Sequence, residues 1–307
     1  MLAFRLVSVA LLTAGCTHAR DVPDTAEHRS LFQHWIDGTD ASEPQTQTQR
    51  YDTDTFVIRQ SVRTNPEAPF LYLLFGKDRA LLLDTGAGGL MIRPAVDAAI
   101  NQWLVEHKRT AIPLVVAHSH GHGDHQAGDA EFRDRPDTKV VGLQPAEISG
   151  FFGIADWPNS IARFDLGDRV LHVIPTPGHH PAHIMIYDER AHLLLSGDSL
   201  YPGRIYIPAN LLADFQASMD RLAGFLENRT VSHVLGAHIE MTRKPGVDFK
   251  PNAPQHPDEH ILELPVSDVA ELRAAVRAMG DKVVREVHDD FIVFPLPPRL
   301  PPAPASN

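Results

Sequence analysis

Four histidines and one aspartate fall within the eight residues HSHGHGDH, positions 118 to 125. Imidazole and carboxylate are the natural ligands of zinc-like ions, and a catalytic ion keeps one position open for water. In an extended segment side chains two residues apart point the same way, so His118 with His120, or His120 with His122, could form a pair. Two neighbouring ions need about six or seven protein ligands, more than one strand end can supply. Remote partners are therefore expected. The chain holds 18 histidines, so most of them are not ligands.

The segment delivering the cluster is PLVVAH (113–118), a short apolar run that reads as a buried strand. Before it, FVIRQSV (56–62), FLYLLFG (70–76) and RALLLDTG (79–86) are apolar or alternating runs separated by Asn-Pro and Gly-Lys-Asp breakers, the pattern of consecutive strands. Residues 92–107 place Val96, Ile100, Trp103, Leu104 and His107 on one side at helical spacing. Further strands are expected at 139–142, 170–175, 183–187, 192–196 and 233–236, with helices over 212–227 and 267–279 and a closing strand pair, KVVREVH and FIVF. Strands interleaved with helices predict a layered α/β domain.

A chain of 307 residues fits one large domain with a modest extension. Its formal charge is −11 and no lysine/arginine cluster stands out, which argues against nucleic acid and for a small-molecule substrate. At the N-terminus, Arg5, the apolar run Leu6–Leu12 and the small residues before Cys16 read as a secretory signal over 1–16. Cys16 follows Ala14-Gly15 and resembles the lipidated cysteine of a bacterial lipobox; simple cleavage near Ala14 or Ala19 is the alternative. The expected location is outside the cytoplasm, periplasmic and lipid-anchored to a membrane through Cys16. No other cysteine follows, so an exported protein would lack disulfides. Residues 17–50 read as a polar tether, 51–245 as the catalytic domain, 246–294 as a C-terminal extension packed on it, and the proline-rich 295–307 as a disordered tail.

The string His120-x-His122-x-Asp124-His125 resembles the HxHxDH motif of the metallo-β-lactamase fold superfamily. Thr176-Pro-Gly-His179, Ser196-Gly-Asp198 and Gly236-Ala-His238 follow in the family's order, each after an expected strand, and Asp84 lies in LLLDTG. The resemblance covers about residues 55 to 240. It implies an αββα sandwich and a two-metal site. On that basis His120, His122 and His179 hold the first ion, Asp124, His125 and His238 the second, and Asp198 bridges them, while Asp84 orients a ligand by hydrogen bonding. Gly121 and Gly123 are expected to let the loop bend tightly. Zinc is the expected metal, with iron or manganese as alternatives.

Two such ions imply a hydrolase in which a bridging hydroxide attacks an ester, thioester or lactone carbonyl. Asp124 would orient that nucleophile and take up a proton. Tyr201, in GDSLYPG, resembles a tyrosine of the lactone-opening members that donates to the developing oxyanion; a packed aromatic wall residue is the competing reading. Arg204 and Tyr206 follow in what reads as the same loop, where they could meet an anionic substrate group. The resemblance is to the glyoxalase II and lactonase-like branch, although the region after His238 is short and proline-rich for glutathione recognition. β-Lactam hydrolysis is the alternative activity, and a metal-binding lipoprotein without turnover the alternative class. His118 is read as ending its strand and bonding locally, His183 as supporting the loop, and His180 as facing the cleft.

Overall fold

The computed structural model describes residues 30–299. The first half runs β1 (Thr46–Asp52), β2 (Thr55–Gln60), β3 (Phe70–Phe75), β4 (Ala80–Leu83), α1 (Arg93–Glu106), β5 (Leu114–Ala117), α2 (Gly123–Gln126), α3 (Ala130–Arg133) and β6 (Thr138–Val140). The six strands form one sheet in sequence order. It is antiparallel as far as β4 and parallel from β4 through β6, where α1 provides the crossover that a parallel pair requires.

The second half contains α4 (Pro145–Phe152), β7 (Ala162–Asp165), β8 (Val170–Pro175), β9 (Ile184–Asp188), β10 (Leu193–Gly197), β11 (Arg204–Pro208), α5 (Leu212–Leu226), β12 (His233–Gly236), β13 (Glu263–Leu264), α6 (Ser267–Ala278), β14 (Glu286–Val287) and β15 (Ile292–Leu296). Its main sheet has the order β13-β12-β10-β9-β8-β7, and a small third sheet has the order β11-β15-β14.

Strand alternation sorts the core into three layers. On β3, Phe70, Tyr72 and Leu74 face the second sheet and pack with Leu171, Val173, Ile184 and Leu195. The intervening Leu71, Leu73 and Phe75 face outward onto Val96, Ile100 and Trp103 of α1. On the far side, Met185, Leu194 and Val234 pack beneath Phe215, Met219 and Leu222 of α5 and Val269, Leu272 and Val276 of α6. Helices outside two facing sheets make the expected αββα sandwich.

Three regional expectations change. The stretch 17–50 is not a tether from residue 30 onward: Phe32, Trp35 and Ile36 are buried, Trp35 meets Phe70 edge-on at 5.0 Å, and β1 pairs along β2. Aromatic anchors widely spaced in a polar segment show no periodicity, so the burial is visible only in three dimensions. Residues 295–299 are likewise ordered against the body, with Leu296 closing β15 and Asn210 bonded both ways to the Arg299 backbone (2.7 and 3.1 Å). Finally, Arg204 and Tyr206 lie on strand β11, parallel to β15, and not in a loop. The extension is integral to the sandwich, since β13 joins the second sheet and α6 packs in its helical layer. The expected signal over 1–16, with Cys16, and the remainder of the tail lie outside the described residues. Among the described residues no helix is long and apolar enough to cross a membrane.

Candidate metal centre

The chemistry-bearing residues all sit just past the C-terminal ends of strands that share one edge of the sandwich. Asp84 follows β4, the histidine cluster follows β5, His179 follows β8, Asp198 follows β10 and His238 follows β12. They converge into two groups that share Asp198: His120, His122, His179 and Asp198, and Asp124, His125, Asp198 and His238. Within each group the candidate ligand atoms lie within 4.8 Å of one another. That spacing suits atoms surrounding one ion at about 2.0–2.2 Å each.

Outer hydrogen bonds determine which ring nitrogens point inward. His179 Nδ1–H donates to the Tyr206 carbonyl (2.9 Å), and His238 Nδ1–H donates to the Glu67 carbonyl (2.8 Å). A carbonyl only accepts, so the Nε2 of both rings carries a lone pair. His125 Nδ1–H donates to Asp84 Oδ2 (2.9 Å), which turns its Nε2 inward in the same way. These lone pairs face Asp198 and Asp124: His125 Nε2 lies 3.2 Å from Asp124 Oδ2, and His238 Nε2 lies 3.4 Å from both carboxylates. Asp198 Oδ1 is buried with no hydrogen-bond donor among the described residues. Converging lone pairs and anions in a buried site repel unless a cation lies between them, so the donor set fits divalent metal.

The electrostatics agree. Burial pushes the pKa of His122 down to about 4 and holds those of His120 and His179 below the usual imidazole value, so these rings are neutral, as ligation requires. Around His125 burial works in the same direction, but Asp198, Asp84 and Asp124 outweigh it and raise the pKa, a sign of locally uncompensated negative charge. His122 is held differently from the other rings. Its Nδ1 lies 2.8 Å from His120 Nε2 and 3.1 Å from His179 Nε2, and Arg299 Nη1 donates to its Nε2 (3.1 Å).

Asp84 sits at the base of the cluster, accepting from the Ser119 backbone N–H (2.7 Å), the Ser119 hydroxyl (2.9 Å) and His125. It does so from a left-handed backbone conformation (φ 70°), a strained geometry often found where function needs it. The expected bend at Gly121 and Gly123 draws on no such freedom, because neither has a positive φ and a Cβ would fit at both. Gly197 is the glycine that matters. With φ 53°, a Cβ there would come within 2.7 Å of His183 Nε2 and 2.9 Å of Ser119 Cβ.

The bystander histidines have local partners. His118 bonds Asp129 (2.7 Å) and not the cluster. His183 Nε2 accepts the Asp198 backbone N–H (3.2 Å), and His180 Nδ1 accepts that of Ala182 (3.1 Å). Tyr201 lines the cavity but is buried, and its hydroxyl donates to the Arg204 carbonyl, with Glu240 Oε2 at 3.1 Å. As placed, it has no proton left for a substrate oxygen. Arg204 is also committed, pairing with Glu240 (3.2 Å) and Asp248 (3.0 Å) and donating to the Phe249 carbonyl (2.6 Å), which leaves no free guanidinium edge for an anionic substrate.

The donor sets open into a cavity of about 380 Å³ whose far wall includes Tyr206, Glu240, Phe249, Lys250 and Leu296. Sequence reasoning named Tyr206 of this wall but missed Glu240, Phe249, Lys250 and Leu296, as it missed Glu67 and the Tyr206 carbonyl, which orient His238 and His179. Orientation by a backbone carbonyl leaves no mark on residue type, and no local signal could have found it.

Residues 64–232 match the sequence profile of the metallo-beta-lactamase superfamily, ending before His238 and the C-terminal wall. The chain is 27% identical over 204 residues to the acyl-coenzyme A thioesterase MBLAC2 of Homo sapiens, covering 55% of this chain and 72% of that protein. It is 30% identical over 118 residues to a hydroxyacylglutathione hydrolase of Rhizobium meliloti (strain 1021), covering 37% and 43%. The solved structure of DIM-1 metallo-beta-lactamase aligns with a TM-score of 0.50 at 10% identity, over 77% of this chain and 99% of that one, a likeness of fold. These relatives are hydrolases by name, and with more than half of its length inside the match the chain belongs to the metallo-beta-lactamase superfamily.

Proposed function

We propose that the protein is a hydrolase that holds two divalent cations, zinc by preference, and cleaves an ester, thioester or lactone, with thioesters the leading class. The observation that carries this reading is the pair of donor sets sharing Asp198 at the floor of an open cavity. The preference for thioesters is supported by relatives named a coenzyme A thioesterase and a hydrolase of hydroxyacylglutathione.

Bound cations would supply an acidified water and polarise the carbonyl under attack. The chain's own groups do the positioning. His120, His122 and His179 would hold one cation and Asp124, His125 and His238 the other, with Asp198 common to both donor sets. Asp124 directs Oδ2 toward His125 and His238, while its side chain keeps 21% exposure at the cavity. Its other oxygen is thereby available to orient the attacking water and accept its proton. Asp84 and the carbonyls of Glu67 and Tyr206 fix the rings behind the ligands, so that little reorganisation accompanies reaction. Export with a membrane anchor at Cys16 belongs to the same reading and rests on the signal-like residues 1–16.

Metal analysis and turnover on one preparation test the reading, with ester, thioester, lactone and β-lactam substrates offered to wild type, His122→Ala and Asp124→Asn. The wild type is expected to carry about two metal equivalents and to turn over a thioester or lactone, and both variants to lose that activity. Equal inertness of all three proteins, or a single equivalent in the active wild type, overturns it.

A further inference from the structure

Two tyrosines stand on the cavity wall, and their hydroxyls are used in opposite ways. Tyr201 spends its proton inside the protein, on the Arg204 carbonyl with the Glu240 carboxylate beside it. Tyr206 is partly exposed, and its oxygen accepts a hydrogen bond from Arg204 Nε at 2.6 Å. A guanidinium has no lone pair to offer in return. The Tyr206 proton is therefore unspent, and among the described residues it has no acceptor.

The phenol oxygen is also held in place. Arg204 is fixed by Glu240, Asp248 and the Phe249 carbonyl, and the Tyr206 ring packs edge-on against Phe294 at 5.3 Å. The backbone carbonyl of the same residue accepts from His179, which ties Tyr206 to the first donor set. A charged donor on the phenol oxygen polarises its O–H bond and strengthens it as a donor.

We propose that Tyr206 is a catalytic residue that donates a hydrogen bond to the substrate carbonyl oxygen as it gains negative charge, with Arg204 the positioning residue behind it and Tyr201 part of the wall. The proton is shared and not transferred, so the phenol is neutral before and after the step. Burial raises the phenol pKa, consistent with a group that stays protonated across the working range. The proposal rests on the hydrolase reading and names the residue that would stabilise the oxyanion in it.

The test compares wild type, Tyr206→Phe and Tyr201→Phe, each metal-loaded and checked for metal content and melting temperature. Turnover of S-phenyl thioacetate and δ-valerolactone is measured, and calorimetry gives the affinities for methylphosphonate, a tetrahedral mimic, and for planar acetate. Tyr206→Phe should lower kcat by about 100-fold with KM changed by less than about threefold. It should weaken methylphosphonate about tenfold or more while leaving acetate nearly unchanged. Tyr201→Phe should lower the melting temperature and leave the ratio of methylphosphonate to acetate affinity as in wild type. If Arg204 acts through Tyr206, Arg204→Met should add little further loss of kcat in the Tyr206→Phe background. An active wild type with an unchanged Tyr206→Phe variant, or with Tyr201→Phe carrying the methylphosphonate loss, overturns this proposal alone. A wild type that hydrolyses no substrate of the wider panel overturns the hydrolase reading and this proposal with it.

Discussion

On the cavity floor most of the candidate ligand rings are tied from behind by single acceptors: Asp84 behind His125, the Glu67 carbonyl behind His238 and the Tyr206 carbonyl behind His179. The far wall is closed differently. Arg204 on β11 draws in Glu240, Asp248 and the Phe249 carbonyl, and β15 lies alongside β11. The floor fixes ring orientation with carbonyl and carboxylate acceptors, whereas the wall is pinned at one buried cation. A single fold can thus keep its reaction while the wall, and with it the substrate, varies.

The largest effect is expected where the two donor sets meet. Asp198→Asn should reduce both metal occupancy and kcat/KM by more than the roughly 10- to 100-fold typical of a residue that only orients a ligand. Elemental analysis beside steady-state rates checks this, and full retention of metal would separate the two sets and break the picture of a shared floor.

Disturbing the wall at Arg204 should affect stability, and kcat through Tyr206, before metal content. Arg204→Met leaves Glu240 without its cation and Asp248 with only Arg285 at 3.6 Å, and should cost about 3 kcal/mol of unfolding free energy. Because the floor ligands are untouched, metal content should stay near wild type. Denaturant titration and metal analysis together check this, and metal loss in step with destabilisation would show that floor and wall are not separable.

The smallest expected effect is at Asp268, which belongs neither to the donor sets nor to the cavity lining and serves as their control. Burial, reinforced by the negative Asp290 and Glu271, raises the Asp268 pKa from 3.8 to about 7. A carboxyl with a higher pKa folded than unfolded binds its proton more tightly in the native state. Its contribution is therefore fully present below about pH 4 and lost as pH rises to 7. Asp268→Asn should remove that loss, raising the melting temperature relative to wild type at pH 8 and making little difference at pH 4. Its turnover should match wild type throughout.

The spacing His120-x-His122-x-Asp124-His125, the later His179, Asp198 and His238, and the apolar run that forms β3 were legible because each rests on a short local pattern or on motifs standing next to strand ends. The core helices α1, α5 and α6 were legible for the same reason, within a residue or two at their ends. β11 was not, since a five-residue segment containing arginine and proline carries little strand signal until β15 pairs with it. The same holds for Trp35 and Phe32, whose burial depends on a sheet formed by residues that follow them.

By itself the sequence determined the chemistry available at the floor, because residue type decides what can ligate and strand-end motifs decide which residues are delivered together. Only the tertiary structure decided which nitrogen of most rings points inward, that Tyr201 is spent on Arg204, and that the Tyr206 proton has no acceptor among the described residues. Those outcomes depend on carbonyls and ion pairs brought from distant segments, such as Glu67 to His238 and Asp248 to Arg204, and a backbone oxygen looks the same in every sequence.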